Sequence, residues 1–111
     1  MNKKLLVSNF NDYAELYFVY GPVLTPRQNE ILESYFTYNL SIREIGENLG
    51  ISGAAVFDTL KKCVSKLQDL EQALHILKTR KTIARLLKDR KNGVLDDESL
   101  HEQLEEINNG I

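Results

Sequence analysis

A single cysteine, Cys63, stands in the 111 residues of this chain, and one thiol cannot close an intramolecular disulfide. Stability must come from packing, and a lone free thiol fits a reducing compartment, here read as the cytoplasm. Only two prolines are present, Pro22 and Pro26, so nothing after Pro26 breaks a helix by losing its N–H. Long apolar runs are missing too. None nears the roughly 20 residues that span a bilayer, which argues against membrane insertion. The N-terminus opens like a secretion leader, yet its apolar stretch from Leu5 to Val7 meets Ser8 at once and is too short for one. His75 and His101 have no second histidine or cysteine at ligand spacing, so no metal is expected. No phosphate loop, nucleophile elbow or dinucleotide fingerprint occurs. The expectation is a binding protein with no catalytic residues and no cofactor.

The chain is 42% hydrophobic and 27% charged, ordinary values for a folded protein, and its length suits one domain with one core. The five tyrosines and four phenylalanines fall within residues 10–38, apart from Phe57. Packing of the first helices explains them better than base stacking. A net charge of −2 argues by itself against a dedicated nucleic-acid binder. Its distribution says more. Residues 78–91 carry Lys78, Arg80, Lys81, Arg85, Lys88, Arg90 and Lys91 against Asp89, while residues 96–106 carry six acids and no lysine or arginine. Such segments either attract partners of opposite sign or fold onto one another.

Start and stop signals predict helices throughout. A first helix runs from about Phe10 to Tyr20, capped by Ser8 or Asn9 and stopped by Gly21-Pro22; its apolar residues cover more than one face. Thr25-Pro26-Arg27-Gln28 is a capping box with proline at the first helical position, and Ile31, Leu32, Tyr35 and Phe36 follow at helical spacing. Ser41 with Glu44 forms a second box, leading into Ile45 and Leu49; Gly50 ends that helix. Ser52 caps the next, with Val56 and Leu60 one turn apart. From there Leu60, Cys63, Leu67, Leu70, Leu74 and Leu77 alternate three and four apart, a short heptad seam. It predicts either a packing face for the C-terminal helices or a homodimer interface. Cys63, on this seam, is expected to be a buried small hydrophobe. A basic helix continues to Lys91, Asn92-Gly93 breaks it, and Asp96 or Asp97 caps a last helix bearing Leu100, Leu104 and Ile107.

Residues 24–67 are the most specific part. A capped short helix, small Gly46, turn glycine Gly50, cap Ser52 and inward Val56 and Leu60 are what a helix-turn-helix requires. The predicted fold class is therefore all-α: one helical domain over 1–111, a wing-free helix-turn-helix core over 24–67, and a C-terminal helical extension over 68–111. Leu-Thr-x-x-Gln-x-x-Ile-Leu from Leu24, Leu-Ser-x-x-Glu-Ile from Leu40 and Gly-Ile-Ser-x-x-Ala-Val-x-Asp from Gly50 resemble region 4 of bacterial sigma factors. With the flanking helices and the overall length, they resemble the YlxM family more closely. The resemblance is strongest over residues 10–75. YlxM-like proteins are usually encoded beside the signal recognition particle GTPase or its receptor. The resemblance thus implies a regulatory or accessory role in that pathway, with particle RNA or pathway proteins as partners. The alternative is a dimeric DNA-binding transcription regulator.

One departure bears on both. The resemblance implies Arg-Gln after the capping serine, side chains suited to bidentate contacts with G and A. Here Gly53-Ala54 stand there, followed outward by Phe57, Asp58 and Lys61. Residues 25–52 hold Arg27 and Arg43 against Glu30, Glu33, Glu44 and Glu47, which offers little attraction to phosphate. The nucleic-acid contacts expected are Arg43, Ser52, Gly53 and Ala54 at the helix-turn-helix, Lys61, Lys62 and Lys66 on the following helix, and Arg80, Lys81 and Arg85 in the basic segment. For that segment a plain solvated face is the alternative.

Overall fold

The computed structural model describes residues 9–110; the leader-like N-terminus and Ser8 lie outside them. Within that range six α-helices follow one another and no strand occurs: α1 Phe10–Tyr20, α2 Pro26–Leu32, α3 Ile42–Leu49, α4 Gly53–Leu74, α5 Ile76–Lys91 and α6 Asp97–Asn108. The all-α helix-turn-helix fold expected from the sequence is the one observed. The chain divides into two compact units between Leu74 and His75.

In the N-terminal unit the 22-residue α4 packs against α1, α2 and α3. Its Val56, Leu60, Val64 and Leu67 are completely buried, with Cys63 nearly so, spaced three and four apart on one face. Ile31 and Leu32 of α2 and Ile45 of α3 meet the same core. α1 buries Ala14, Leu16, Tyr17 and Tyr20, a broad arc, but Phe18 points outward at 63% exposure. Two tyrosine hydroxyls tie α1 down. Tyr17 donates to Asn29 Oδ1 at 2.6 Å and Tyr20 to Glu71 Oε1 at 2.5 Å. The aromatics cluster as packing requires: Phe36 lies 5.3 Å from Phe10, 6.0 Å from Tyr17 and 5.0 Å from Tyr35 between ring centroids. Burial raises the Tyr17 and Tyr35 hydroxyls above their ordinary range, with Glu33 a second cause at Tyr17.

Two local features have no sequence counterpart. α2 does not end as an α-helix but widens into a π-turn over Glu33–Thr37, and Tyr35 and Phe36 enter the core there. The expected run of helix from Ser52 to Lys91 is also broken: His75 takes φ 54° between α4 and α5. No proline or glycine marks the place. Histidine enters the left-handed region more readily than most side chains, so the break needs neither.

The C-terminal unit is a helical hairpin. Turn residues 92–96 join α5 to α6, with Gly93 at φ 78° and the Val94 and Leu95 amides both donating to Asp89 O. Asp96 caps α6 by accepting from the Ser99 amide at 2.8 Å, which holds its carboxyl below the usual range. Between the two caps proposed for this helix, Asp96 is the one used.

Candidate nucleic-acid interface

The helix-turn-helix is assembled by two caps and one close approach. Ser41 Oγ accepts from the Glu44 amide at 3.0 Å while Glu44 Oε1 accepts from the Ser41 amide at 3.1 Å. α3 ends on Gly50, whose φ of 70° suits a residue without Cβ. Ser52 Oγ then accepts from the Ala55 amide at 3.0 Å and starts α4. Between the helices Gly46 is buried, and a Cβ there would lie 2.7 Å from the Ile51 carbonyl oxygen. This is the small-residue contact that the motif predicted.

The Ser41–Glu44 box makes a pH-dependent contribution. Hydrogen bonds from Ser41 hold the Glu44 carboxyl below its usual range. A depressed carboxylate contributes stability above the ordinary glutamate pKa and loses it as pH falls through the lowered value. Ser41→Ala should cost about 1 kcal/mol at neutral pH. In urea titrations at stepped pH, that gap between wild type and variant should narrow in the acid range. A constant gap would mean that the Ser41 hydroxyl plays no part in lowering Glu44, whose bond from the Ser41 backbone amide survives the substitution.

The outward surface is poor in readers of base edges. At the start of α4, Gly53 is half-buried with Ile42 beside it, and Ala54 is exposed. Neither side chain donates or accepts a hydrogen bond. With Ile42, Arg43, Gly46, Glu47, Gly50 and Ile51, Gly53 lines an open concavity of about 410 Å³. Arg43 is exposed, but its Nε lies 3.0 Å from Glu47 Oε1. Arg27 faces Glu30 at 3.9 Å, and Lys62 faces Asp58 at 2.9 Å. Exposed pairs of this kind add little stability, yet each places an anion beside a cation that would otherwise attract phosphate.

Positive charge collects elsewhere. On α4, Lys61 is half-buried and Lys62 and Lys66 are exposed. Lys61 and Lys62 share an open concavity of about 500 Å³ with Ser65 and Gln68, two polar neighbours that sequence inspection passed over. On α5, Arg80, Lys81 and Arg85 are all exposed, but helical periodicity separates them. Lys81 and Arg85 share a stripe with Lys88, spaced four and three apart, whereas Arg80 shares one with Leu87 and Lys91. The 81–85–88 spacing was the available signal for adding Lys88. Arg85 pairs with Asp89 at 3.6 Å within the helix. Arg90 Nε reaches Asp97 Oδ1 at 2.5 Å, joining α5 to the acidic helix and raising the guanidinium pKa. The α4 lysines thus belong to the N-terminal unit and the α5 bases to the C-terminal one.

The heptad residues divide as well. Leu60, Cys63 and Leu67 lie inside the N-terminal core, Leu70 is half-buried, Leu74 is exposed, and Leu77 is half-buried beyond the break at His75. Burial pushes the Cys63 thiol above its ordinary pKa, with Lys66 opposing; a suppressed thiolate suits a packing residue. Among the described residues no three histidine, cysteine, aspartate or glutamate side chains gather as a metal-binding group, and no helix is long and apolar enough to cross a membrane.

Residues 7–107 match the model of the UPF0122 family, described as "Putative helix-turn-helix protein, YlxM / p13 like". The match runs through the C-terminal hairpin, well past the stretch on which the sequence resemblance was strongest. A UPF0122 protein of Thermoanaerobacter sp. (strain X514) is 40% identical over 79 residues, covering 71% of this chain and 68% of the relative. One from Fusobacterium nucleatum subsp. nucleatum is 33% identical over 87 residues, or 78% and 84% of the two chains. One from Mycoplasma capricolum subsp. capricolum is 28% identical over 105 residues, or 95% and 93%.

Proposed function

This chain belongs to the UPF0122 family of YlxM / p13-like helix-turn-helix proteins, and on that premise we propose that it is a cytoplasmic regulatory protein that binds nucleic acid by charge rather than by base reading. Its setting in this reading is the signal recognition particle pathway, as an accessory that engages particle RNA or a pathway protein. One observation carries the proposal. The end of α4 that would enter a major groove presents Gly53, Ala54 and the Asp58–Lys62 pair, while bases without base-reading geometry lie farther along the chain. Lys61 and Lys66 on α4 of the N-terminal unit, with Lys62 beside Asp58, supply one set of contacts, and Lys81, Arg85 and Lys88 on α5 of the C-terminal unit supply another. Double-stranded RNA is recognised largely by shape and phosphate, which suits such a surface.

A second reading is favoured by the completeness of the motif itself. Both caps, the Gly46 approach and left-handed Gly50 are all in place, as a dimeric transcription regulator placing α4 in the major groove would need. Arg43, Ser52, Gly53 and Ala54 would then line the DNA.

A salt-series titration separates the two, using random duplex DNA, the DNA upstream of the protein's own operon, and signal recognition particle RNA. The expected result is preference for the RNA, a steep fall in affinity with salt, and no distinction between the two DNAs. Tight binding confined to the operon DNA would establish the second reading and overturn the first.

A further inference from the structure

The C-terminal hairpin has two helices and almost no core. Among its described residues Leu86 is the one fully enclosed side chain, whereas Leu87 is 60% and Val94 75% exposed, and Ile76 and Leu104 are exposed too. Ordering each backbone residue costs roughly 1–2 kcal/mol, while enclosing one leucine returns only about 1.5–3 kcal/mol. These four exposed apolar side chains are surface that a partner would cover.

Charge identifies the partner. Residues 78–91 hold seven bases and one acid, and residues 96–106 hold six acids. A strongly acidic partner would suit α5 and be repelled by α6, and a strongly basic one the reverse. A second copy turned through a twofold axis suits both at once, because the same patch meets itself. We propose that the hairpin is a self-association module. Two copies form a four-helix bundle in which α5 of one protomer lies against α6 of its partner. Leu87, with Arg80 and Lys91 on its stripe, supplies one side of the contact. Leu104 supplies the other, beside the stripe of Glu98, His101 and Glu105, on which His101 and Glu105 lie 2.9 Å apart. The α4 seam offers no comparable surface, since Leu60, Cys63 and Leu67 are already enclosed. This specifies the dimer of the second reading above but does not rest on it, because association is measured without nucleic acid.

The test uses the full chain and light scattering coupled to gel filtration at micromolar concentration. Wild type should run as a dimer that loosens as salt rises. Arg80→Glu with Lys91→Glu makes one variant, and Glu98→Lys with Glu105→Lys makes another. Each should be monomeric alone, and a one-to-one mixture should give a heterodimer, since rescue between chains cannot arise from pairing within one hairpin. If either variant loses helical content, Leu87→Gln replaces it. That change touches an exposed residue and should raise the dimer Kd at least tenfold. A monomeric wild type, dimers indifferent to these changes, or helical variants that fail to pair when mixed would each overturn the proposal.

Discussion

Replacing Gly46 by alanine should destabilise the N-terminal unit by about 3 kcal/mol, the upper end of the range for overpacking a well-packed contact. The reason is the identity of the neighbour. The added Cβ would meet the Ile51 carbonyl oxygen at 2.7 Å, with the Gly53 nitrogen and Ser52 carbonyl carbon both at 3.5 Å. A flexible side chain could rotate away; this backbone cannot, because the Ile51 amide is itself bonded to the Gly46 carbonyl at 3.0 Å. Relief requires α3 and the start of α4 to part, which pulls Ile45 and Val56 from the core. Gly50→Ala is the control. Its φ of 70° strains any side chain, but nothing lies within 4 Å of the new Cβ, so the cost should be about 1 kcal/mol. Urea denaturation followed by helical circular dichroism reads both. Equal costs would mean that conformation, not the close approach, decides the turn.

That contrast also shows what a sequence of this kind discloses. Thr25 with Gln28, Ser41 with Glu44, Gly46, Gly50 and Ser52 all occupy the roles their spacing announced, because capping and close approach depend on neighbours within a few residues. The buried face Val56, Leu60, Cys63 and Leu67 was equally legible from its period. His75 was not. Nothing local forbids helix there, and the heptad continues across it to Leu77, so the left-handed conformation is not forced by any nearby residue. The π-turn at Glu33–Thr37 and the exposure of Phe18 have the same character: both are set by how an element meets the rest of the unit. For the proposed interface, the sequence offered basic residues without grouping them. Helical spacing, unused in choosing those residues, puts Lys81 and Arg85 with Lys88 on one stripe and Arg80 with Leu87 on another.

The grouping makes the functional prediction sharper. Reversing Lys81, Arg85 and Lys88 to Glu should cut RNA affinity on the order of several hundredfold at about 0.1 M salt. Each phosphate neutralised releases close to one counterion, so losing three contacts lowers the slope of log K against log salt by about 3. Reversal adds repulsion to that loss. The gap between wild type and variant should therefore shrink steadily with salt and nearly vanish near 1 M. Loss of folding would instead leave a gap at every salt concentration, so the salt series carries its own control. Loss of the dimer is separated by Leu87→Gln, which leaves the charge of α5 unchanged and lies on a different stripe. If the reversed variant keeps its affinity across the series, α5 is a solvated face and the α4 lysines must carry the contact. If Leu87→Gln alone reproduces the loss, binding depends on pairing two copies rather than on this stripe.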